Sequence, residues 1–378
     1  MPRLSRYKWT AWADHAYTQV WEDQPSIIAI DTETSNVNYY DEAFCVTLTW
    51  RTQDGTLRSA YIDVEGQDQP AHEVAHRRDL VTRALAAVPT WVFHNAKFDL
   101  QKLALAGLLP EDWREHTIHD TQLIFHLMDE NGRKGLKALA VSVLKETDTV
   151  SVEIKSGKNK GKFRQVPREL HELRAVRKKL GLKASDGYFH LPRQVIVPYA
   201  MKDTEYTLRL WETLWPTFER KAAQDPALQR LYHDECELTL ALLDMEARGL
   251  GVDVEYLDAT VAEYSVRVME KLTEAVELSG NKDLNPGSPK QIHEAFAKMG
   301  EDVDGTAVAA LQGVVHGSKN AKAREFAQAI LDFRSDAKVY VTYLKALQSE
   351  QREGIWHPNF NPVLPKTGRM SSGTASNK

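Results

Sequence analysis

The chain of 378 residues has little cysteine: Cys45 and Cys236 are the only two, far apart in sequence. Two distant thiols build no disulfide framework, and such scarcity favours a reducing compartment. Long apolar runs are missing too, none approaching the ~18 residues that a membrane-spanning helix needs. Met1 to Tyr17 carries charges and tryptophans without a continuous apolar stretch, so it does not read as a secretory signal, and the expected place is the cytoplasm. Nor is there a global excess of positive charge. The net charge is −5, which by itself advertises no polyanionic partner. Internal repeats and low-complexity tracts are absent. What remains is 42% hydrophobic and 27% charged, an ordinary globular composition. The length suggests two or three domains.

One stretch organises the rest: Ile27-Ile28-Ala29-Ile30-Asp31-Thr32-Glu33-Thr34. The short, branched, apolar run predicts a buried strand. Side chains two apart on a strand share a face, so Asp31 and Glu33 are expected side by side. Adjacent buried carboxylates repel, and a divalent cation with hard oxygen ligands, Mg2+ or Mn2+, resolves the conflict. Alone, an Asp-x-Glu after a strand is a weak signal, equally readable as a turn cap beside a solvated acid.

The following segments give it context. Phe44–Arg51 and Leu57–Val64 read as strands joined across Gln53-Asp54-Gly55, a hairpin signal. A helix is expected from His72 to Val88. Trp91-Val92-Phe93 is a short buried strand that delivers His94-Asn95-Ala96-Lys97-Phe98-Asp99, and a helix runs on to about Gly107. Thr117–Asp120 reads as an edge strand, followed by helices over Thr121–Asp129 and Leu136–Lys145. This order predicts a mixed sheet with helices packed on it, its acids at strand ends where α/β folds place their sites. From Ser151 to His190 eleven lysines and arginines face four acids, a local charge of +7. Such a run can track a phosphate backbone by releasing counterions. It is expected to be partly loop, with a helix near Pro167–Leu180. Pro198 is expected to open a long helix to about Arg220, with Tyr199 and Asp203 on one face. Beyond Asp225 no strand pattern convinces, and helices are expected over Tyr256–Leu278, Pro289–Met299 and Ala323–Gln348.

Asp31, Glu33, Asp99 and Asp203 come from three separated segments, and together they can surround two divalent cations. Tyr199, one turn before Asp203, could orient or help deprotonate an attacking water. The set Asp31-Thr32-Glu33-Thr34, Asn95-Ala96-Lys97-Phe98-Asp99 and Tyr199-x-x-x-Asp203 resembles the DEDD exonucleases in their tyrosine variant. The histidine variant would carry His about five residues before the last Asp, where this chain has Pro198. His94 is expected to be packed or hydrogen-bonded, and Asp120 to support the structure.

The resemblance extends further. Leu243-Asp244-Met245-Glu246-Ala247-Arg248-Gly249-Leu250-Gly251-Val252-Asp253 is similar to the segment opening the polymerase part of family A DNA polymerases. Asn285-Pro286-Gly287-Ser288-Pro289-Lys290-Gln291-Ile292 resembles their thumb motif, and Thr367-Gly368-Arg369-Met370-Ser371-Ser372 the start of their palm. Residues 1–25, rich in tryptophan, read as an N-terminal lead-in, and the resemblance, from about residue 26 on, implies an α/β ribonuclease H-like exonuclease domain over 26–222, with the basic insertion 151–190; a mostly helical thumb over 223–350; and the start of a palm over 351–378. It implies a phage- or bacterium-type proofreading 3′–5′ exonuclease without the palm and fingers that polymerise, in a bacterial or infected cell. Asp31, Glu33, Asp99 and Asp203 would hold two divalent cations, Mg2+ or Mn2+. Single-stranded DNA 3′ ends and primer–template duplex would be the partners, with Asn95, Lys158, Lys160, Lys162, Lys290 and Arg369 contacting DNA. A separate polymerase portion or processivity factor is a further expected partner; a membrane is not. The alternatives are an RNase D-like exoribonuclease and a non-catalytic DNA clamp.

Overall fold

The computed structural model describes residues 6–36, 38–65, 70–157, 159–183, 186–363, 365 and 367–373, with side chains from residue 15 onward. The described residues divide into two compact units. The first comprises those of Met1–Arg248 and Pro358–Lys378, the second those of Gly249–His357.

In the first unit, helix α1 (Arg6–Asp23) precedes strands β1 (Ile27–Thr34), β2 (Ala43–Arg51) and β3 (Leu57–Asp63). Next come α2 (Ala71–Ala86), β4 (Thr90–Phe93), α3 (Ala96–Leu105) and β5 (Thr117–Asp120). These strands form one mixed sheet in the order β3-β2-β1-β4-β5. β1 and β2 are antiparallel, as are β2 and β3, while β4 runs parallel to both β1 and β5. Parallel pairing needs crossovers, which α2 and α3 supply. The β2–β3 turn closes through Gly55 N–H to Thr52 O at 2.9 Å, with Gly55 at φ +84°.

Ile28, Ile30, Val46, Leu48, Trp50, Trp91 and Phe93 fill one core with Val81, Leu85, Leu100 and Leu103 from the helices. The apolar alternation of β1 and β2 therefore fixes the sheet's register, since a one-residue slip would turn it away from this core. The lead-in packs on this core through Ala16 and Val20, whereas Trp21 is 59% exposed; Trp9 and Trp12 lie outside the described side chains.

The chain continues through α4 (Thr121–Met128), α5 (Leu136–Ser142), β6 (Thr149–Glu153), β7 (Phe163–Pro167), α6 (Arg168–Lys179), α7 (Arg193–Ala222) and α8 (Pro226–Arg248). β6 and β7 pair as an antiparallel ribbon, so the basic segment holds a hairpin besides its expected helix, α6. α7 starts at Arg193, five residues before the proline expected to open it, and contains both Pro198 and Pro216. It lies on the sheet face opposite α2 and α3, touching β1 through β4.

The second unit begins at β8 (Leu250–Gly251) and contains α9 (Val254–Ser279), α10 (Pro289–Lys298), α11 (Val308–Gly317), α12 (Ala321–Lys338) and α13 (Ala346–Glu350), closing with β9 (Ile355–Trp356) against β8. Asp253 caps α9 and Ser288 caps α10 through their side chains. Phe296 and Phe326, centroids 5.0 Å apart, anchor its core. Gly249 sits at φ +69°, and a Cβ there would come within 2.6 Å of Ile355, so only glycine fits. After this unit the chain forms β10 (Asn359–Asn361) and β11 (Ser371–Gly373), an antiparallel pair in the first unit.

Candidate active site

β1 sets Asp31 and Glu33 on one face, opposite Thr47 and Cys45 of β2. Helix α7 docks on that face. Thr47 Oγ1 donates to Ala200 O at 3.3 Å, and Thr49 Oγ1 to Thr204 Oγ1 at 2.8 Å. Buried Ala200 lets the helix come close. The docking carries Asp203 inward, so one carboxylate oxygen each from Asp31, Glu33 and Asp203 lies within 4.8 Å of the others. Glu33 is 8% and Asp203 7% exposed. Burial pushes the Asp203 carboxyl up, against the pull of the Lys137 ammonium. Three convergent carboxylates, two of them buried, are a donor set suited to a hard divalent cation, so the residues present fit such an ion.

Tyr199 stands one turn before Asp203 on α7, its ring edge-on to Tyr188 with centroids 5.5 Å apart. Its phenol feels the negative charge of the Asp203 carboxylate. Burial, then the Asp203 charge, hold this phenol well above its ordinary value, so it is a neutral donor.

Asp99 arrives from the other side of β1. At the end of β4, Asn95 adopts a left-handed conformation (φ +75°) that turns the chain into α3. Asp120 holds this turn, accepting from Asn95 N at 3.0 Å and Ala96 N at 2.8 Å, and also from Gln122 N. It is a supporting residue, as its sequence context suggested. Asp99, 2% exposed, accepts at Oδ1 from Thr32 N (3.0 Å) and Thr32 Oγ1 (2.7 Å). It is thus tied to the residue between the two β1 acids, while the close three-acid cluster is Asp31, Glu33 and Asp203. His94 is packed, 2.8 Å from both Thr121 Oγ1 and Lys134 O.

The residues expected to meet DNA sit on separate elements. Lys160 and Lys162 are exposed at the ribbon's tip and Lys158 lies outside the described residues. Lys290 is exposed on α10, 3.8 Å from Glu294, and Arg369 is exposed just before β11.

Sequence reasoning missed Lys137. Its ammonium contacts Asp203 and lies 3.0 Å from Glu169 Oε1, over the faces of Tyr199 and Tyr206 at 4.3 and 5.0 Å. No spacing marks it, because a lysine in a short amphipathic helix ordinarily faces water. Tyr188 and Glu169 were hidden in the basic segment, where charge dominated the reading.

Known proteins supply the rest. The family model described as 3′–5′ exonuclease, that of the DNA polymerase A group, matches residues 17–219, just over half the chain. DNA polymerase I of Chloroflexus aurantiacus is 29% identical over 292 residues, 74% of this chain and 27% of that protein. The DNA polymerase of Escherichia phage T5 is 28% identical over 75% of this chain and 33% of its own length. DNA polymerase DpoZ of Vibrio phage phiVC8 is 25% identical over 92% of this chain and 53% of its own length. This chain therefore spans between about a quarter and a half of these relatives. In fold, it is similar to the POL domain of Pol1 from M. smegmatis, solved with DNA primer-template and dNTP, with TM-score 0.60 and 20% identity over 98% of this chain and 54% of that one. By the family match and the polymerase relatives together, the chain belongs to the 3′–5′ exonuclease family of the A-type DNA polymerases.

Proposed function

We propose that the chain is the proofreading part of a family A DNA polymerase, hydrolysing the 3′-terminal phosphodiester of DNA. The observation that carries this reading is the convergence of Asp31, Glu33 and Asp203 beside Tyr199, inside the family-matched region. Asp31, Glu33 and Asp203 would hold one divalent cation, and Asp99 a second with their help. Bound cations, Mg2+ or Mn2+, acidify the attacking water and offset charge growing on the phosphate. Tyr199 supplies a neutral hydroxyl that orients this water for in-line attack on phosphorus; the 3′-oxygen of the penultimate nucleotide leaves, releasing a nucleoside monophosphate.

The β6–β7 ribbon offers a path for the strand. Its tip is pinned by Gly161 N to Ile154 O and Ile154 N to Lys162 O, both 2.8 Å. It presents Lys160, Lys162 and Arg164 around a Phe163 that is 69% exposed. Cations with an open aromatic face suit a single strand, the charges tracking phosphates while the ring stacks on a base. Lys290 and Arg369 are assigned to primer–template contact.

The test is digestion of a 5′-labelled single-stranded DNA oligonucleotide with Mg2+, beside the Asp31→Ala/Glu33→Ala variant. A ladder shortening from the 3′ end, lost in a variant with unchanged circular dichroism, is expected. Cleavage retained by that variant overturns the assignment, and faster digestion of a matched RNA would move it to exoribonuclease.

A further inference from the structure

The proposed reaction leaves Lys137 without a role. α5 holds the residue by its buried neighbours Leu139 and Ala140. The side chains of Lys137, Glu169 and Asp203 are 15%, 13% and 9% exposed. The ammonium touches two carboxylates of different kinds. Asp203 belongs to the three-acid cluster, whereas Glu169, in the first turn of α6 just after the ribbon, does not. The faces of Tyr199 and Tyr206 close the cage. A cation on Asp203 and this ammonium would be like charges competing for one carboxylate in a poorly hydrated place, where screening is weak.

We infer that Lys137 is a tethered counterion that competes with the divalent cation for Asp203 and moves onto Glu169 when that cation binds. This inference rests on the metal reading of the site. Before binding, the lysine neutralises part of a cluster whose acids would otherwise repel. On binding, it yields Asp203 and remains satisfied by Glu169 and the two rings. Lys137 is a positioning residue: it sets how tightly the site takes its metal, and Glu169 sets how readily the lysine lets go.

The experiment is a Mn2+ titration of the whole chain, followed by loss of the free-ion paramagnetic resonance signal. Binding by the Asp31→Ala/Glu33→Ala variant is subtracted as belonging to other sites. Lys137→Met should bind Mn2+ about tenfold more tightly than the unaltered chain. Glu169→Gln should bind it about threefold more weakly, but change affinity less than about twofold when combined with Lys137→Met, because Glu169 acts through the lysine. Thermal unfolding gives the second readout. Lys137→Met should unfold earlier than the unaltered chain in EDTA, and excess Mn2+ should close most of that gap. A merely structural lysine would lower the midpoint equally in both conditions, which would overturn the inference. So would unchanged Mn2+ affinity in Lys137→Met, or equal effects of Glu169→Gln with and without the lysine. If the unaltered chain binds no more Mn2+ than the Asp31→Ala/Glu33→Ala variant, the metal reading itself falls and the inference with it.

Discussion

Glu246→Ala should be among the most destabilising single changes in the first unit. The Glu246 side chain is 1% and that of Lys97 9% exposed, and the two form an ion pair. Glu246 also accepts from Phe360 N at 2.6 Å and from Gln101 Nε2 at 3.4 Å, and Lys97 donates to Asn359 Oδ1 at 2.9 Å. Burial pulls the Lys97 ammonium below its ordinary value while Glu246 opposes that pull. Truncating Glu246 leaves this ammonium buried with one neutral acceptor and strips Phe360 N–H of its partner. Breaking a buried pair from one side costs about 3–5 kcal/mol. At about 2 °C per kcal/mol for a unit of this size, the unfolding midpoint should drop by roughly 6–10 °C. Removing both charges should cost less than removing one, so Lys97→Met/Glu246→Met should unfold later than Glu246→Ala. Thermal unfolding by circular dichroism decides. A Glu246→Ala shift below about 2 °C, or a double variant at the sum of its singles, would refute the reasoning.

Two other predictions concern different parts of the molecule. Lys160→Ala/Lys162→Ala should weaken single-stranded DNA binding and lower the slope of log affinity against log salt by about 1.4, from ~0.7 per phosphate contact; fluorescence anisotropy across a salt series checks this, and an unchanged slope excludes the ribbon. Burial pulls the His119 imidazole down to about 4. The unfolded histidine takes its proton near 6.5, so between pH 6.5 and 4 protonation favours the unfolded chain and stability falls as pH falls. His119→Asn should flatten that decline in calorimetry; the same slope in both proteins would rule out His119 as its source.

The sheet was legible because its signals are local. The branched run of β1, the Asp54-Gly55 turn and the buried Trp91–Phe93 stretch each declare themselves within a few residues, and the acids follow at strand ends. Long-range decisions were less so. Pro198 read as a helix start, since proline suits a first turn. Yet α7 extends back to Arg193 beside Asp63, whose carboxylate takes the Arg193 guanidinium at 2.9 Å, and tertiary packing overrides the proline's missing donor. The ribbon was masked because Phe163, Arg164 and Gln165 all face water, so β7 shows no alternation. Lys137 carried no signal at all, because its burial depends on Asp203 and Glu169, which are distant in sequence.

The Lys97 clamp has a consequence for biosynthesis. Its partners Glu246 and Asn359 flank residues 249–357, so the first unit is interrupted in the order of translation by the whole second unit. At about 5–20 residues per second, Asn359 follows Glu246 off the ribosome by roughly 6–23 s. During that interval the Lys97–Glu246 pair lacks the strand that completes its enclosure. The Lys97 clamp of the first unit therefore closes only after the second unit has been made.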